Sequence, residues 1–262
     1  MMQVLDWQSF TQNPPAHSLA VTIGAFDGIH RGHQALIDAV NRSARNETRF
    51  PAVVTFRENP KKVLYPARFR GSLMTLEDKL AMFESMGIAY CVLIDFSGKF
   101  ATLSGREFLS ALYVANVRSV VVGENFQFGH RHDSNAAMLE SLAREMGIEP
   151  YVLPSVLYRG RPVSSSRIRH AIEEGNLADA AAMLGRPYCI AARRTALEKG
   201  SQLLIPEDDL MLPPDGIYLV DVFEGGETVR CNLRIAGRTA ECGIRMRSDR
   251  IVAAFVDTAT QE

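Results

Sequence analysis

The sequence predicts an α/β fold: a parallel, doubly wound sheet followed by a small β-rich module. Three observations carry this. Between residue 19 and about 155, short apolar runs alternate with stretches whose apolar residues recur at helical spacing. The first run leads into a glycine-rich turn, "GAFDGIHRGH" at 24–33, that opens a helix. After "LGRP" at 184–187 the helical spacing stops, and short apolar runs are separated by turn residues.

The strand-like runs are 19–25, 52–56, 90–95, 118–122 and 149–154. Helical stretches fill the intervals at 32–45, 75–86, 104–114 and 134–147. Thr75 with Asp78, and Ser104 with Glu107, stand at the spacing of helix-start caps. Two further helices are expected at 165–174 and 176–184. Strands at 188–193, 202–205, 216–223, 228–235 and 250–255 then follow, with Pro213-Pro214 and Gly225-Gly226 among the turn signals. A boundary near 186 divides the expected domains, 1–186 and 187–262.

With 262 residues, 47% apolar and 23% charged, the composition is that of a soluble protein. A net charge of −1 gives no electrostatic case for nucleic acid or an anionic membrane as partner, so phosphate recognition must be local. No apolar run approaches the roughly 20 residues of a membrane span. Asp6 interrupts the N-terminus before any signal-peptide core, and the expected location is cytoplasmic. The four cysteines are scattered, without a Cys-x-x-Cys pair, and read as reduced.

The turn at 24–33 is neither a dinucleotide fingerprint nor a P-loop, which would end in Gly-Lys-Ser/Thr. It reads as a phosphate site without a lysine. Gly32 admits close backbone approach, the helix start supplies N–H donors, and His30 and His33 add imidazole donors. Donors held at a transferring phosphoryl group stabilise its growing charge. Two histidines at this spacing are also metal-ligand types, although no third ligand is evident, and a pair without any role is the plain alternative. "VSSSRIR" at 163–169 is a second anion candidate, with hydroxyls at a helix start and Arg167 and Arg169 beside them. Serine caps near arginines are common, so structure alone also explains it. "VGENFQFGHRHDSN" at 122–135 offers Asn125 and two phenylalanines to a flat heterocycle, unless Phe126 or Phe128 fills the core. His130 and His132 read as solvated.

"TIGAFDGIHRGH", "TFRENPKKVL", "LIDFSGKFATLSGREFL", "VGENFQFG" and "SSSRIRHAIEEGNLADAAAMLGRPY" occur in that order over 19 to about 188. In this the chain resembles the FMN adenylyltransferase domain of bacterial bifunctional riboflavin kinase/FAD synthetases. The His-x-Gly-His pair alone would indicate only the wider nucleotidyltransferase superfamily. The resemblance implies a Rossmann-like nucleotidyltransferase domain in which an FMN phosphate oxygen displaces pyrophosphate from ATP, with Mg²⁺, to give FAD. It implies catalytic roles for His30 and His33, and adenylate contacts from the backbone around Gly24, Phe26 and Asp27. Ser165, Ser166 and Arg169 would hold the β- and γ-phosphates. Asn125, with Phe128 nearby, and Asn59 would place the flavin.

Two departures stand out. Asn59 occupies the place of the second-proline-flanked histidine in the family's Thr-Phe-x-Pro-His-Pro, and the first proline is missing. The kinase stretch Gly-Arg-Thr-x-Gly-Phe-Pro-Thr-Ala-Asn has no counterpart between Cys189 and Pro213. There Gly200 is the only glycine, Arg193-Arg194-Thr195 merely mimics its Arg-Thr, and Glu207-Asp208-Asp209 reads as a solvated turn, with weak cation binding as the alternative. Only "LPPDGIYLVDVF" at 212–223 is similar to that barrel, so 187–262 is expected to be a degenerate kinase-type β domain. An adenylyl- or cytidylyltransferase for another phosphorylated small molecule, and a flavin- or nucleotide-binding module with little catalysis, are the other readings.

Overall fold

The computed structural model describes the chain except residues 97, 131–132, 199–200, 208, 225, 244–247 and 257–262. His132, Gly200, Asp208 and Gly225 of the sequence reading lie outside the described residues. The elements begin with β1 (Gln3–Asp6), α1 (Trp7–Gln12), β2 (Leu19–Ile23), α2 (Arg31–Asn46), β3 (Phe50–Phe56) and α3 (Pro60–Leu64). Next come α4 (Leu76–Ser85), β4 (Tyr90–Ile94), α5 (Gly98–Ala101), α6 (Gly105–Val114) and β5 (Val117–Gly123). The short pair β6 (Gln127–Phe128) and β7 (Ser134–Asn135) precedes α7 (Ala136–Glu145) and β8 (Glu149–Leu153).

These strands, apart from the short pair, form one parallel sheet ordered β1-β4-β3-β2-β5-β8. Its central strand β2 is buried at all five residues, as a parallel strand covered on both faces should be. Val21, Val54, Val92 and Val120 share a core with Phe108, Leu109, Leu112 and Leu139. Each fully buried aliphatic side chain in it stabilises the fold by about 1.5–3 kcal/mol. The expected Ser104–Glu107 cap is a complete capping box, with hydroxyl and carboxylate each satisfying the other residue's backbone. Two further elements carry little pattern in the sequence: β1, an exposed edge strand, and α1, which Asp6 caps by accepting from the Ser9 N–H at 2.8 Å.

By contacts the chain divides into two compact units. One comprises Met1–Phe26, Gly32–Phe69 and Leu76–Leu157, which is the sheet and its helices. The other comprises Asp27–Arg31, Arg70–Thr75 and Tyr158–Glu262. The hairpin β9 (Leu157–Tyr158) with β10 (Arg161–Pro162) opens this last stretch, and the second unit then holds the helices α8 (Ser165–Glu173) and α9 (Leu177–Leu184). It also holds a closed antiparallel barrel of β11 (Cys189–Glu198), β12 (Ser201–Pro206), β13 (Gly216–Glu224), β14 (Glu227–Ala236), β15 (Thr239–Cys242) and β16 (Arg250–Phe255). Closure leaves no unpaired edge. Tyr188 and Tyr218 pack against Phe255 inside it. Cys231 and Cys242 bring their sulfurs to 3.2 Å across adjacent strands, and all four cysteines are free thiols.

Candidate active site

The chain fills β3 and β4 on one side of β2, then returns to place β5 on the other. Open parallel sheets bind ligands beyond the carboxyl ends of their strands at such a reversal. Segments 24–30 and 124–130 leave the carboxyl ends of β2 and β5.

The first segment is a strained turn. Phe26 has φ +50°, Gly28 +82° and Ile29 +37°. Left-handed backbone costs a bulky or β-branched residue on the order of 1–3 kcal/mol and persists only where the surroundings over-determine it. Phe26 and Ile29 are fully buried, which returns a comparable amount for each. Phe26 lies edge-on to Phe83, and the His33 ring packs against it with centroids 4.9 Å apart.

Side chains hold the rest of the turn by three successive carbonyls. Ser165 Oγ donates to the carbonyl of Asp27 at 2.9 Å, and Arg186 donates to those of Gly28 at 2.9 Å and Ile29 at 3.3 Å. The Asp27 carboxylate is buried, accepts from the Leu73 N–H at 2.8 Å and forms an ion pair with buried Arg169. Arg169 Nε also donates to the carbonyl of Gly71 at 2.7 Å. A Cβ added to Gly28 would come within 2.9 Å of Leu73 and 3.2 Å of Leu184, so the position is tight, and its left-handed φ favours glycine.

His30 ends this turn, and His33 lies in the first turn of α2, which carries no acidic side chain. The N–H groups of a helix start, uncompensated by a carboxylate, suit an anion. His30 is buried, and burial pulls its pKa down to about 4; a hydrogen bond to its own backbone opposes this, and the Arg186 charge adds to it. It is therefore a neutral imidazole at pH 7, with one N–H donor. Its unfolded-state pKa of 6.5 lies above the folded value, so protonation favours unfolding as pH falls through that interval. The stability it confers is complete above pH 6.5 and is lost toward pH 4, about 3 kcal/mol in all. In urea unfolding at pH 7 and pH 4.5, His30→Gln is expected to lose less stability on acidification than the parent. Equal losses would contradict the assigned cause.

The serine run divides its work. Ser164 caps α8 by accepting from the Arg167 N–H, Ser165 braces Asp27, and Ser166 is exposed in the first helical turn. The Arg167 guanidinium is engaged by the carbonyls of Tyr158, Arg161 and Pro162. The structure thus unites Asp27, His30, Ser165 and Arg169 in one unit, and adds Arg186, which lies at the domain boundary the sequence predicts. Its signal, a cation in a Gly-Arg-Pro connector, has no local meaning without the fold.

Gly24, Phe26, Gly32, His33, Asn59, Asn125 and Phe128 belong to the other unit. Asn59 caps α3, its Oδ1 accepting from the Lys61 N–H at 3.0 Å. Asn125 is exposed and donates to Ser155 Oγ at 3.0 Å, past the end of β8. Phe128 is 8% exposed and belongs to the core beside Phe108, whereas Phe126, half-buried and stacked on Phe128, is the more accessible ring. In the barrel, Glu207 is no solvated turn residue: it pairs with Arg193 and Arg250, each at 2.9 Å. Arg194 pairs with Asp249, and Thr195 Oγ1 donates to the carbonyl of Leu203. Among the described residues no three His, Cys, Asp or Glu side chains cluster as metal ligands, and no helix is long and apolar enough to cross a membrane.

The family model for FAD synthetase matches residues 12–167. The bifunctional riboflavin kinase/FMN adenylyltransferase of Escherichia coli K12 is 29% identical over 242 residues, 89% of this chain and 77% of the relative. A protein of Listeria monocytogenes described as FAD synthetase is 28% identical, over 80% of this chain and 83% of its own length. Among solved structures, one described as a macrolide-efflux protein from Streptococcus pneumoniae superposes with a TM-score of 0.88 at 26% identity, covering 100% of this chain and 92% of that one.

Proposed function

We infer the reaction from a plain premise: the chain belongs to the FAD synthetase family. It is an FMN adenylyltransferase, taking ATP and FMN to FAD and pyrophosphate. The observation that carries this is the braced turn at the end of β2, which sets His30 just before an acid-free helix start that bears His33. An FMN phosphate oxygen attacks the α-phosphorus of ATP in line. The new P–O bond forms as the bond to the bridging oxygen breaks, and pyrophosphate departs with that electron pair. Most of such catalysis is positioning and electrostatic stabilisation.

In this reading His33 and His30 donate N–H groups to the phosphoryl oxygens as charge grows on them. The backbone around Gly24, Phe26 and Asp27 meets the adenylate, and Gly32 lets the helix start approach the phosphates. Ser166 meets the β- and γ-phosphates, while Ser165 and Arg169 serve them by holding the turn. Asn125 and Asn59 border the flavin, with Phe126 the ring supported by Phe128 beneath it. Mg²⁺ enters as Mg·ATP, part of the substrate. The reaction is cytoplasmic, in keeping with four free thiols.

Residues 187–262 form a kinase-type β domain that does not phosphorylate riboflavin, and 1–186 form the adenylyltransferase domain. The pairings of Arg193, Arg194 and Thr195 support this, because they commit the Arg-Thr mimic to the barrel wall rather than to a nucleotide. Phosphoryl transfer to a flavin hydroxyl needs a phosphate cradle and a held metal, and the sequence between Cys189 and Pro213 lacks the Gly-Arg-Thr…Thr-Ala-Asn stretch that supplies both in the family. Incubation with Mg·ATP is expected to convert FMN to FAD and to leave riboflavin unchanged on chromatography. FMN formed from riboflavin at a rate rivalling adenylyl transfer would overturn the assignment of the C-terminal domain.

A further inference from the structure

We propose that Arg186 is a positioning residue for adenylyl transfer, its guanidinium fixing the turn on which His30 stands by holding the carbonyls of Gly28 and Ile29. The catalytic part of this rests on the reaction proposed above; the bracing part does not.

The two hydrogen bonds, 2.9 Å to Gly28 and 3.3 Å to Ile29, come from the two terminal nitrogens of one planar fork. A fork grips adjacent carbonyls together, whereas an ammonium on a flexible stem reaches them as a point charge. The grip falls on the most demanding part of the loop. Gly28 and Ile29 are both left-handed, and for buried, β-branched Ile29 this is a costly conformation. The peptide bonds of this turn are trans, so the plane that carries the Ile29 carbonyl also carries the N–H of His30. Fixing that plane fixes where the His30 backbone starts, and therefore where its ring can point. Other side chains hold the Asp27 end of the turn: Ser165, Arg169 and the Leu73 N–H. Arg186 acts on the His30 end.

The arginine is itself anchored on both sides. Gly185 caps α9 in the left-handed conformation, its N–H donating to Ala181 at 2.8 Å. Pro187 fixes the following φ, and Tyr188 is buried with its hydroxyl on the Met211 carbonyl. Leu184, the last residue of α9, packs beside Gly28. The connector is thus a rigid arm that ends on the turn.

The test compares Arg186→Met and Arg186→Lys with the parent in full-length protein. Loss of the fork is expected to lower kcat for FAD formation by on the order of 10²-fold, the cost of small misplacement, with KM for ATP changed little. Tens of millimolar guanidinium should restore part of the Arg186→Met turnover, and the same concentration of sodium chloride should not. Hydrogen exchange in the peptide spanning 24–33 should accelerate in Arg186→Met, with the sheet strands unchanged. Arg186→Lys keeps charge and stem, serves if the Met variant fails to fold, and should still lose at least about tenfold in kcat. An unchanged kcat in either folded variant, or unchanged exchange at 24–33, overturns the proposal. A parent protein that makes no FAD overturns the reaction instead, and the exchange measurement then still decides the brace.

Discussion

Replacing His33 by Ala, and separately His30 by Ala, is expected to lower the rate of FAD formation by on the order of 10²–10³, about 3–4 kcal/mol, with ATP binding nearly unchanged. The asymmetry follows from timing. An imidazole N–H donates a hydrogen bond to a phosphoryl oxygen before and during the reaction, but that bond strengthens only as charge accumulates. The burial that keeps His30 neutral also removes competing water, so its donor acts in a low-dielectric setting. Packing against Phe26 sets the ring of His33 before substrate arrives. Steady-state turnover beside equilibrium ATP binding separates the effects. Loss of binding with turnover retained would mean that the histidines hold substrate rather than stabilise the transition state.

Arg169→Met is expected to destabilise the unit by about 3–5 kcal/mol, because it strands the buried Asp27 carboxylate. The guanidinium leaves two acceptors behind, that carboxylate and the Gly71 carbonyl. Adding Asp27→Asn to Arg169→Met should recover part of the loss, since no uncompensated charge then remains. Urea midpoints of the two single variants and the double variant measure this coupling. A phosphate ligand with no structural duty would behave differently, its loss costing ATP affinity and leaving the midpoint in place.

The central strands of the sheet are legible because they are covered on both faces. Val-rich runs such as 52–56 and 118–122 can only be central parallel strands when helices separate them. β1 escaped notice because three of its four residues are exposed, and an edge strand carries little hydrophobic pattern. β15 escaped because four residues reading Thr-Ala-Glu-Cys alternate too briefly to register. Within the site, the glycine and histidine spacing of 24–33 is local and could be read directly. The bracing cannot, because Ser165, Arg169 and Arg186 act on residues 138 to 158 positions away. Phe128 shows the opposite limit: one aromatic in "NFQF" had to enter the core, and the sequence does not say which.

The central claim is adenylyl transfer to FMN, and the most direct measurement follows the label of ATP carrying radioactive phosphorus at the α-position. With FMN and Mg²⁺ present, the label is expected to migrate with FAD, and unlabelled pyrophosphate should appear in one-to-one ratio with it. Measurable binding of FMN and ATP with all label remaining in ATP would contradict the claim and make the protein a binding module. Transfer of label to a different phosphorylated acceptor, with none to FMN, would contradict it as firmly.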